Sequence, residues 1–288
     1  MSSTSTNISS CTVFKMKTNV QISSENSLNE DDIHNYVEQL RFLMLEDCKL
    51  REFRTDSVFL LKFLHCTEFN LPLTLTKIRN YYDFCFEHPK WFAHIAPLEV
   101  RDKIERNDKM IMSERDLNGR GIFIVKVGRI RTDNSSPQEE TQLIELWIEQ
   151  LTGDIKTQSS GVSVILDMKD YSLKLFKWLT PSNIRIAVKR IELYPIKNLV
   201  IHVVNTSYLL NASVKLIWPF MNKALKETFC FHYDSWESLH EHISPETLPS
   251  EYGGTGKDLD FQAANQHLFN WSSEIGERLI KQNLSKKV

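Results

Sequence analysis

The sequence predicts an α/β protein in which a bundle of helices precedes a mostly parallel sheet. Three features carry this prediction. Residues 29–90 repeat apolar side chains at helical spacing, "GVSVILDM" and "LVIHVV" are continuous apolar strands, and helical segments alternate with those strands. Continuous apolar strands are typical of a parallel sheet buried on both faces, and the alternation with helices indicates right-handed crossovers.

The helical part begins near residue 29. Ile33, Val37, Leu40 and Met44 recur every three or four residues, which predicts an amphipathic helix. A capping Thr-Asp pair opens "TDSVFLLKFLH", and Pro72 stands where a first helical turn accepts it, so two more helices follow. We expect a disordered polar tail at 1–28, a helical domain at 29–95, the sheet domain at 96–255 and a helical extension at 256–288.

The sheet part opens with a hairpin. "MIMSERDLNGRGIFIVKVG" contains two extended runs joined across Asn118-Gly119, a pair that accepts positive φ. A helix at Pro137–Leu151 follows, then the two apolar strands with "SLKLFKWL" and "PSNIRIAVKRIELY" as helices between them. "ETFCFHY" is a short edge strand, and "SWESLHEHIS" is a last helix before residue 255.

One helix, after the strand "LVIHVV", is apolar on two sides. Leu209, Leu216 and Phe220 form one stripe, and a second lies beside it, made of Leu210, Val214, Ile217 and Met221. Pro219 removes a helical hydrogen bond, so it bends or ends the helix there. A doubly buried core helix and a helix that covers a ligand both fit this pattern.

Composition limits the class of protein. The chain is 41% hydrophobic and 25% charged, and no run of about 18 apolar residues predicts a transmembrane helix. The first residues lack the apolar core of a signal peptide. Five scattered cysteines without a Cys-x-x-Cys pair are typical of reduced thiols. We therefore expect a cytosolic protein.

Charge is distributed unevenly. Residues 169–226 contain ten Lys or Arg against Asp170 and Glu192, a net charge of about +8, while the whole chain carries −2. A solvated face and attraction to an anionic surface are both compatible with this excess. The basic residues lack the interleaved aromatic platform that binds nucleic acid, so no nucleic-acid partner is expected.

Signals of catalysis are weak. Ser163 lies at the beginning of a strand and no glycine follows it at the spacing of a nucleophile elbow. Asp167 and Asp170 follow a strand, where turn and cap roles are common, and His240 and His242 lack metalloprotease spacing. A hydrolase using Ser163 or Asp167 stays a remote alternative, and we expect no enzyme activity.

The order of the motifs resembles the CRAL-TRIO family, in particular its alpha-tocopherol transfer protein-like and retinaldehyde-binding members. The likeness spans about residues 29–255 and ends at "LPSEYGG". It implies a helical bundle, a sheet that floors an apolar cavity, and a mobile gate helix. It also implies a protein without cofactor that carries a tocopherol-like, retinoid-like or other terpenoid-like lipid and exchanges it with membranes. We expect a monomer without a bound metal.

The resemblance, combined with strand and helix periodicity, predicts the site. Cavity positions are Phe123, Val125, Trp147, Leu151, Val164, Leu166, Phe176, Ile184, Val188, Ile191, Ile201, Val203, Leu209, Ser213, Leu216 and Phe220. Gate positions that enter a bilayer are Ile217, Trp218 and Met221. Candidates to bond a ligand hydroxyl are Ser163, Tyr171, Tyr194 and His202, each of which is also an ordinary core polar group.

The basic positions depart from the family. Four positions that bind a phosphoinositide headgroup in tocopherol-carrier relatives align with Lys197, Leu199, Ala224 and Thr228, of which only the first is basic. Lys215, Lys223 and Lys226 lie nearby and could replace them at an anionic membrane surface. The alternative function is a membrane-recruited adaptor that senses phosphoinositide or phospholipid without transferring it.

Overall fold

The computed structural model describes residues 28–233 and 235–282, so nearly all of the expected tail at 1–28 lies outside the described residues. Within these ranges the strands are β1 (Lys109–Arg115), β2 (Gly121–Lys126), β3 (Val162–Asp167), β4 (Val200–Val204) and β5 (Phe229–Tyr233). The α-helices are α1 (Glu30–Glu46), α2 (Ser57–Cys66), α3 (Leu71–Glu87), α4 (Arg101–Ile104), α5 (Pro137–Leu151), α6 (Ile155–Ser160), α7 (Leu173–Phe176), α8 (Pro181–Leu193), α9 (Tyr208–Ile217), α10 (Lys223–Lys226), α11 (Trp236–His240), α12 (Phe261–Asn270) and α13 (Ser272–Gln282).

The first three helices form the expected bundle. Each begins at a polar cap, because the side chains of Asn29, Asp56 and Asn70 each accept a hydrogen bond from a backbone N–H three residues later. Their apolar faces meet in one aromatic-rich core that includes Phe63 and Tyr81. The core extends to Leu193 at the end of α8, so the bundle packs directly on the sheet domain.

The five strands form one sheet in the order β1-β2-β3-β4-β5. β1 is antiparallel to β2, and every other neighbouring pair is parallel. This confirms the predicted mostly parallel sheet, and β5 is an edge strand as expected.

The hairpin before the parallel strands has a longer turn than predicted. Arg115 pairs with Gly121, which leaves five residues in the loop. Only Gly119 of the predicted Asn-Gly pair has positive φ, at 77°. The Asp116 carboxylate accepts the backbone N–H groups of Asn118 and Arg120, and these bonds close the loop without a two-residue turn.

The two faces of the sheet are covered differently. One face lies under α5, α8 and α9. On the opposite face a buried cluster forms around Ile165, Leu248 and Tyr252, so the segment "LPSEYGG" covers that face of the sheet. The C-terminal helices pack against α5, with Leu268 and Leu279 buried beside Trp147. No helix in the part of the chain described is long and apolar enough to cross a bilayer.

Candidate functional site

The face of the sheet beneath α5, α8 and α9 carries two straight rows of apolar side chains. The strand register aligns one residue from each of β2 to β5 in the first row. The second row lies two residues further along each strand. Because side chains alternate between faces with a period of two, all eight project to the same side. The rows are Phe123, Val164, Ile201 and Phe229, then Val125, Leu166, Val203 and Phe231.

Packing over these rows is uneven. Phe123 and Val125 are buried against Trp147 and Leu151 of α5, in one packed core. The neighbouring Val164 and Leu166 lie on a strand flanked on both sides, yet they keep accessible surface. On the opposite face of that strand Ile165 is 0% exposed. The row side chains of β3 are therefore less completely covered than those of β2 and β4 on either side.

α7 and α8 contribute to the wall around the rows. Ile184 and Val188 of α8 are buried with Leu225 of α10, and Ile191 is half-buried against them. Phe176 at the end of α7 is also half-buried. Phe229 contacts the same cluster, so the wall is continuous from the helices to the edge strand.

α9 turns Leu210 and Val214 inward together with Ser213 of the predicted cavity stripe. Leu210 and Val214 pack on Ile201 and Val203, and Ser213 is buried beside them. Leu216 is 43% exposed and lies on the outer side, which corrects its assignment to the cavity stripe. Successive residues of a helix point 100° apart, so an error of one residue in the predicted inward side places a solvent-facing side chain in the cavity wall. Leu209 is half-buried on the flank between the two sides.

A hydrogen bond joins α9 to the loop before α7. Tyr171 Oη lies 3.0 Å from Ser213 Oγ. The Ser213 hydroxyl donates to the carbonyl of Leu209, so the Tyr171 hydroxyl is the donor in the bond between the two side chains. Burial raises the pKa of Tyr171, which keeps the phenol protonated as this role requires.

The segment after α9 packs on the protein rather than projecting from it. α9 ends at Ile217, and a short 3₁₀ turn follows at Trp218–Phe220, as Pro219 predicts. Ile217, Phe220 and Met221 contact the cluster around Ile184, and the Trp218 ring centroid lies 6.2 Å from that of Phe231. In this structure Ile217, Trp218 and Met221, the positions expected to enter a bilayer, are half-buried against apolar partners on α8 and β5.

Basic side chains flank this segment. Arg185 lies over the Phe220 ring, 5.4 Å from its centroid, and Lys226 lies 5.6 Å from that of Trp218. Lys215 and Lys223 are exposed, and Lys197 is half-buried at the turn before β4. Each aromatic ring of the 3₁₀ turn thus carries a cation on its face, which stabilises both groups.

The candidate polar contacts separate onto different faces. Tyr171 lies at the apolar rows, where it contacts the core around Ile201. Tyr194 packs beneath Arg190 at the bundle interface. Ser163 and His202 are 0% exposed and project from the opposite face, because each is offset by one residue from the row positions. They are therefore excluded as partners of a ligand on the apolar side.

The carboxylate at the end of β3 has a structural role. Asp167 accepts hydrogen bonds from the Asn205 amide at 2.6 Å and from the Tyr252 hydroxyl at 3.1 Å. It also caps the backbone N–H of Lys169, in the turn that sequence reasoning expected. These bonds tie the ends of β3 and β4 to the "LPSEYGG" segment.

Sequence reasoning missed four apolar positions. Phe229 and Phe231 complete the two rows, and the alternation in "ETFCFHY" was the available signal. Tyr208 and Leu173 are 95% and 66% exposed on α9 and α7, two helices that contact each other. Leu173 lies on a four-residue helix and Tyr208 is the first residue of α9, so periodicity could not show that either side chain is exposed.

The fold is a helical bundle followed by a mostly parallel sheet with helices on its faces, and the comparisons name the family. The chain belongs to the CRAL/TRIO domain family, whose model matches residues 105–254. It is 27% identical over 230 residues to Clavesin-1 of Xenopus laevis, covering 79% of this chain and 69% of that protein. It is 26% identical over 233 residues to an alpha-tocopherol transfer protein-like protein of Mus musculus, covering 80% and 67%.

A solved structure shares the fold at greater distance. The crystal structure of Sfh5 superimposes with a TM-score of 0.51 at 12% identity, covering 83% of this chain and 93% of that one. The chain spans about two thirds of the length of the curated relatives. These similarities confirm the predicted family and the architecture of N-terminal helices followed by the sheet domain.

Proposed function

We propose that this protein is a carrier that binds one hydrophobic lipid against the apolar rows and exchanges it with membranes by moving α9. The observation that carries the proposal is the accessible surface of Val164 and Leu166 in the middle of the sheet. An interior strand face that is apolar but incompletely covered is suited to a nonpolar guest. The relative named alpha-tocopherol transfer protein-like, which is matched over most of this chain, supports the same function.

The energetics favour direct exchange at a membrane. Moving a lipid with about 20 buried carbons through water costs about 0.8 kcal/mol per CH₂, or about 16 kcal/mol. That cost slows escape by about eleven orders of magnitude. If α9 swings away while the protein rests on a bilayer, the lipid moves between two apolar phases and avoids most of this cost.

Exposed apolar and basic side chains indicate which side of the protein would face a membrane. Leu173, Tyr208 and Leu216 present apolar surface on α7 and α9, and Lys174 and Lys215 are exposed on the same two helices. Each basic residue near an anionic bilayer contributes about 1 kcal/mol, screened by salt. We therefore propose that the protein attaches peripherally to membranes through the outer side of α9. Anionic lipids would attract its basic residues by charge, without a specific phosphoinositide-binding site.

A transfer assay with a cavity-filling variant tests the function. The Leu166→Trp variant should occupy the proposed ligand position above β3 and reduce transfer of a fluorescent tocopherol or retinoid between donor and acceptor vesicles by at least tenfold. Ile155→Trp is the matched control, because Ile155 is exposed on α6, away from the rows. Native mass spectrometry of the wild-type protein should show one bound lipid per chain.

Two results would contradict the carrier. Wild-type protein that binds vesicles but accelerates no transfer would favour the membrane-recruited adaptor instead. Equal transfer by Leu166→Trp and wild type would place any ligand elsewhere.

A further inference from the structure

The face of the sheet opposite the apolar rows holds a cluster of metal-ligating side chains. His202 on β4 pairs in register with Cys230 on β5, so the two side chains lie next to each other on this face. His242 reaches them from the turn after α11, and its ring centroid lies 4.9 Å from that of His202. One nitrogen of each histidine and the Cys230 sulfur all lie within 4.8 Å of one another.

A chain of hydrogen bonds sets the tautomer of His202. The Ser238 hydroxyl donates to the carbonyl of Ser235, so its oxygen accepts from His232 Nδ1 at 2.7 Å. His232 Nε2 is then unprotonated and accepts from His202 Nδ1 at 2.9 Å. His202 therefore carries its proton on Nδ1, and Nε2 keeps a free lone pair. A donor hydrogen bond on the second nitrogen is the usual support of a metal-bound histidine.

That lone pair has no hydrogen-bond partner among the described residues. His202 is 0% exposed, and its Nε2 makes no hydrogen bond there. An unpartnered buried polar atom destabilises the folded state, so folded proteins rarely keep one without a role. A bound cation would satisfy it.

We propose that His202, Cys230 and His242 bind one transition-metal ion of the Zn²⁺ type. Two imidazole nitrogens and one thiolate are three of the four tetrahedral ligands that Zn²⁺ takes, and water would supply the fourth. His232 would orient His202 by accepting a hydrogen bond from its Nδ1. Zn–N and Zn–S distances of about 2.0–2.3 Å require ligand atoms about 3.3–3.7 Å apart, so the cluster closes by about 1 Å on binding.

A Zn²⁺ ion binds neutral imidazoles and a thiolate, so binding would release the proton of the Cys230 thiol and add one net positive charge to the cluster. The nearby Arg120 is paired with Asp116, which limits the repulsion.

The site would clamp three pieces of chain together. It joins the edge strand β5 to β4 and to the turn that contains His242, whose carbonyl accepts the N–H of Leu117 in the hairpin loop. Cys230 stands between Phe229 and Phe231, which project to the opposite face. The metal would therefore rigidify the strand that carries the ends of both apolar rows, whatever ligand those rows take.

Cobalt spectroscopy on reduced protein tests the site. The assay uses the full chain with Cys11→Ser and Cys48→Ser as background, because Cys48 is exposed and Cys11 lies outside the described residues. One equivalent of Co²⁺ should give the visible bands of tetrahedral cobalt and a thiolate-to-metal charge-transfer band, both displaced by Zn²⁺. Zn²⁺ should also raise the melting temperature.

Two single variants and two controls decide the outcome. Cys230→Ser should abolish the charge-transfer band, and His242→Asn should weaken Zn²⁺ binding at least tenfold. His34→Asn and Lys156→Gln, both at exposed positions, should bind like the background protein. Melting without metal checks that each variant folds. A charge-transfer band that survives Cys230→Ser, unchanged affinity in His242→Asn, or no stoichiometric binding at all would overturn the proposal.

Discussion

Arg54 Nη1 lies 2.8 Å from Glu149 Oε1, and both side chains are almost completely buried. Lys62 Nζ lies 2.6 Å from the second oxygen of the same carboxylate. Arg54 and Lys62 belong to the helical bundle, whereas Glu149 belongs to α5 of the sheet domain. One carboxylate therefore binds two cations across the boundary, and the bundle is fixed to the domain by charge as well as by apolar packing.

Removing that carboxylate charge should loosen the bundle. Glu149→Gln leaves the buried Lys62 without an anionic partner and removes one of the two carboxylates at Arg54, which keeps Asp56, so it should cost about 3–5 kcal/mol of unfolding free energy. Urea denaturation followed by tryptophan fluorescence measures it. Glu105→Gln is the control, since Glu105 pairs with Arg101 at a half-exposed site and should cost under about 1 kcal/mol. Equal losses in the two variants would show that the buried network contributes nothing special.

The bond between Tyr171 and Ser213 should restrain α9. A net hydrogen bond is worth about 0.5–1.5 kcal/mol, so Tyr171→Phe should release α9 and accelerate lipid exchange about two- to tenfold. The measurement is the vesicle transfer rate at fixed lipid load. Tyr233→Phe, at an exposed position on β5, is the control. If the bond is responsible, Ser213→Ala adds little to Tyr171→Phe, whereas additive effects would contradict a shared bond.

Strand positions were predictable from the sequence because a strand has only two faces. Alternation along each strand assigns Phe123, Val164 and Ile201 to one of its two faces. The parallel register then places the three side chains on the same face of the sheet. The bounds of α5 were also predicted correctly, because Pro137 begins that helix and its apolar spacing runs unbroken to Leu151.

The side of α9 that faces inward was not predictable. With apolar residues on two adjacent stripes, periodicity permits two orientations 100° apart, and only the partners on β4 and α8 choose between them. The clustering of His202, Cys230 and His242 could not be predicted from the sequence either, because it depends on strand pairing and on a turn distant in sequence.

Acid should destabilise the protein partly through His65. Burial, with a smaller contribution from Lys197, lowers the pKa of His65 from its usual 6.5 to about 4. Between these values the unfolded chain binds a proton that the folded chain does not, so the stability due to neutral His65 is present above pH 6.5 and is lost as pH falls toward 4. Below about pH 4 both states are protonated and no further loss arises from this group.

A glutamine at this position removes the titration. The unfolding free energy of His65→Gln should therefore fall less between pH 7 and pH 5 than that of the wild type, as measured by urea denaturation at each pH. His34→Gln, at an exposed position on α1, should follow the wild-type slope. An unchanged slope in His65→Gln would mean that the histidine binds its proton equally in the folded and the unfolded chain.

The outer side of α9 gives the sharpest separation between membrane contact and folding. Leu216 is exposed on this helix, so Leu216→Glu should leave the melting temperature within about 2 °C of wild type, as a surface change does. It places an acidic charge against an anionic bilayer and removes apolar contact, so binding to vesicles containing phosphatidylserine should weaken at least tenfold in a flotation assay. Leu117→Glu, at an exposed leucine in the hairpin loop, should bind vesicles normally. Ile217→Glu should instead destabilise the fold, because Ile217 packs on the cluster around Ile184. Normal vesicle binding by Leu216→Glu would place the membrane contact on another surface of the protein.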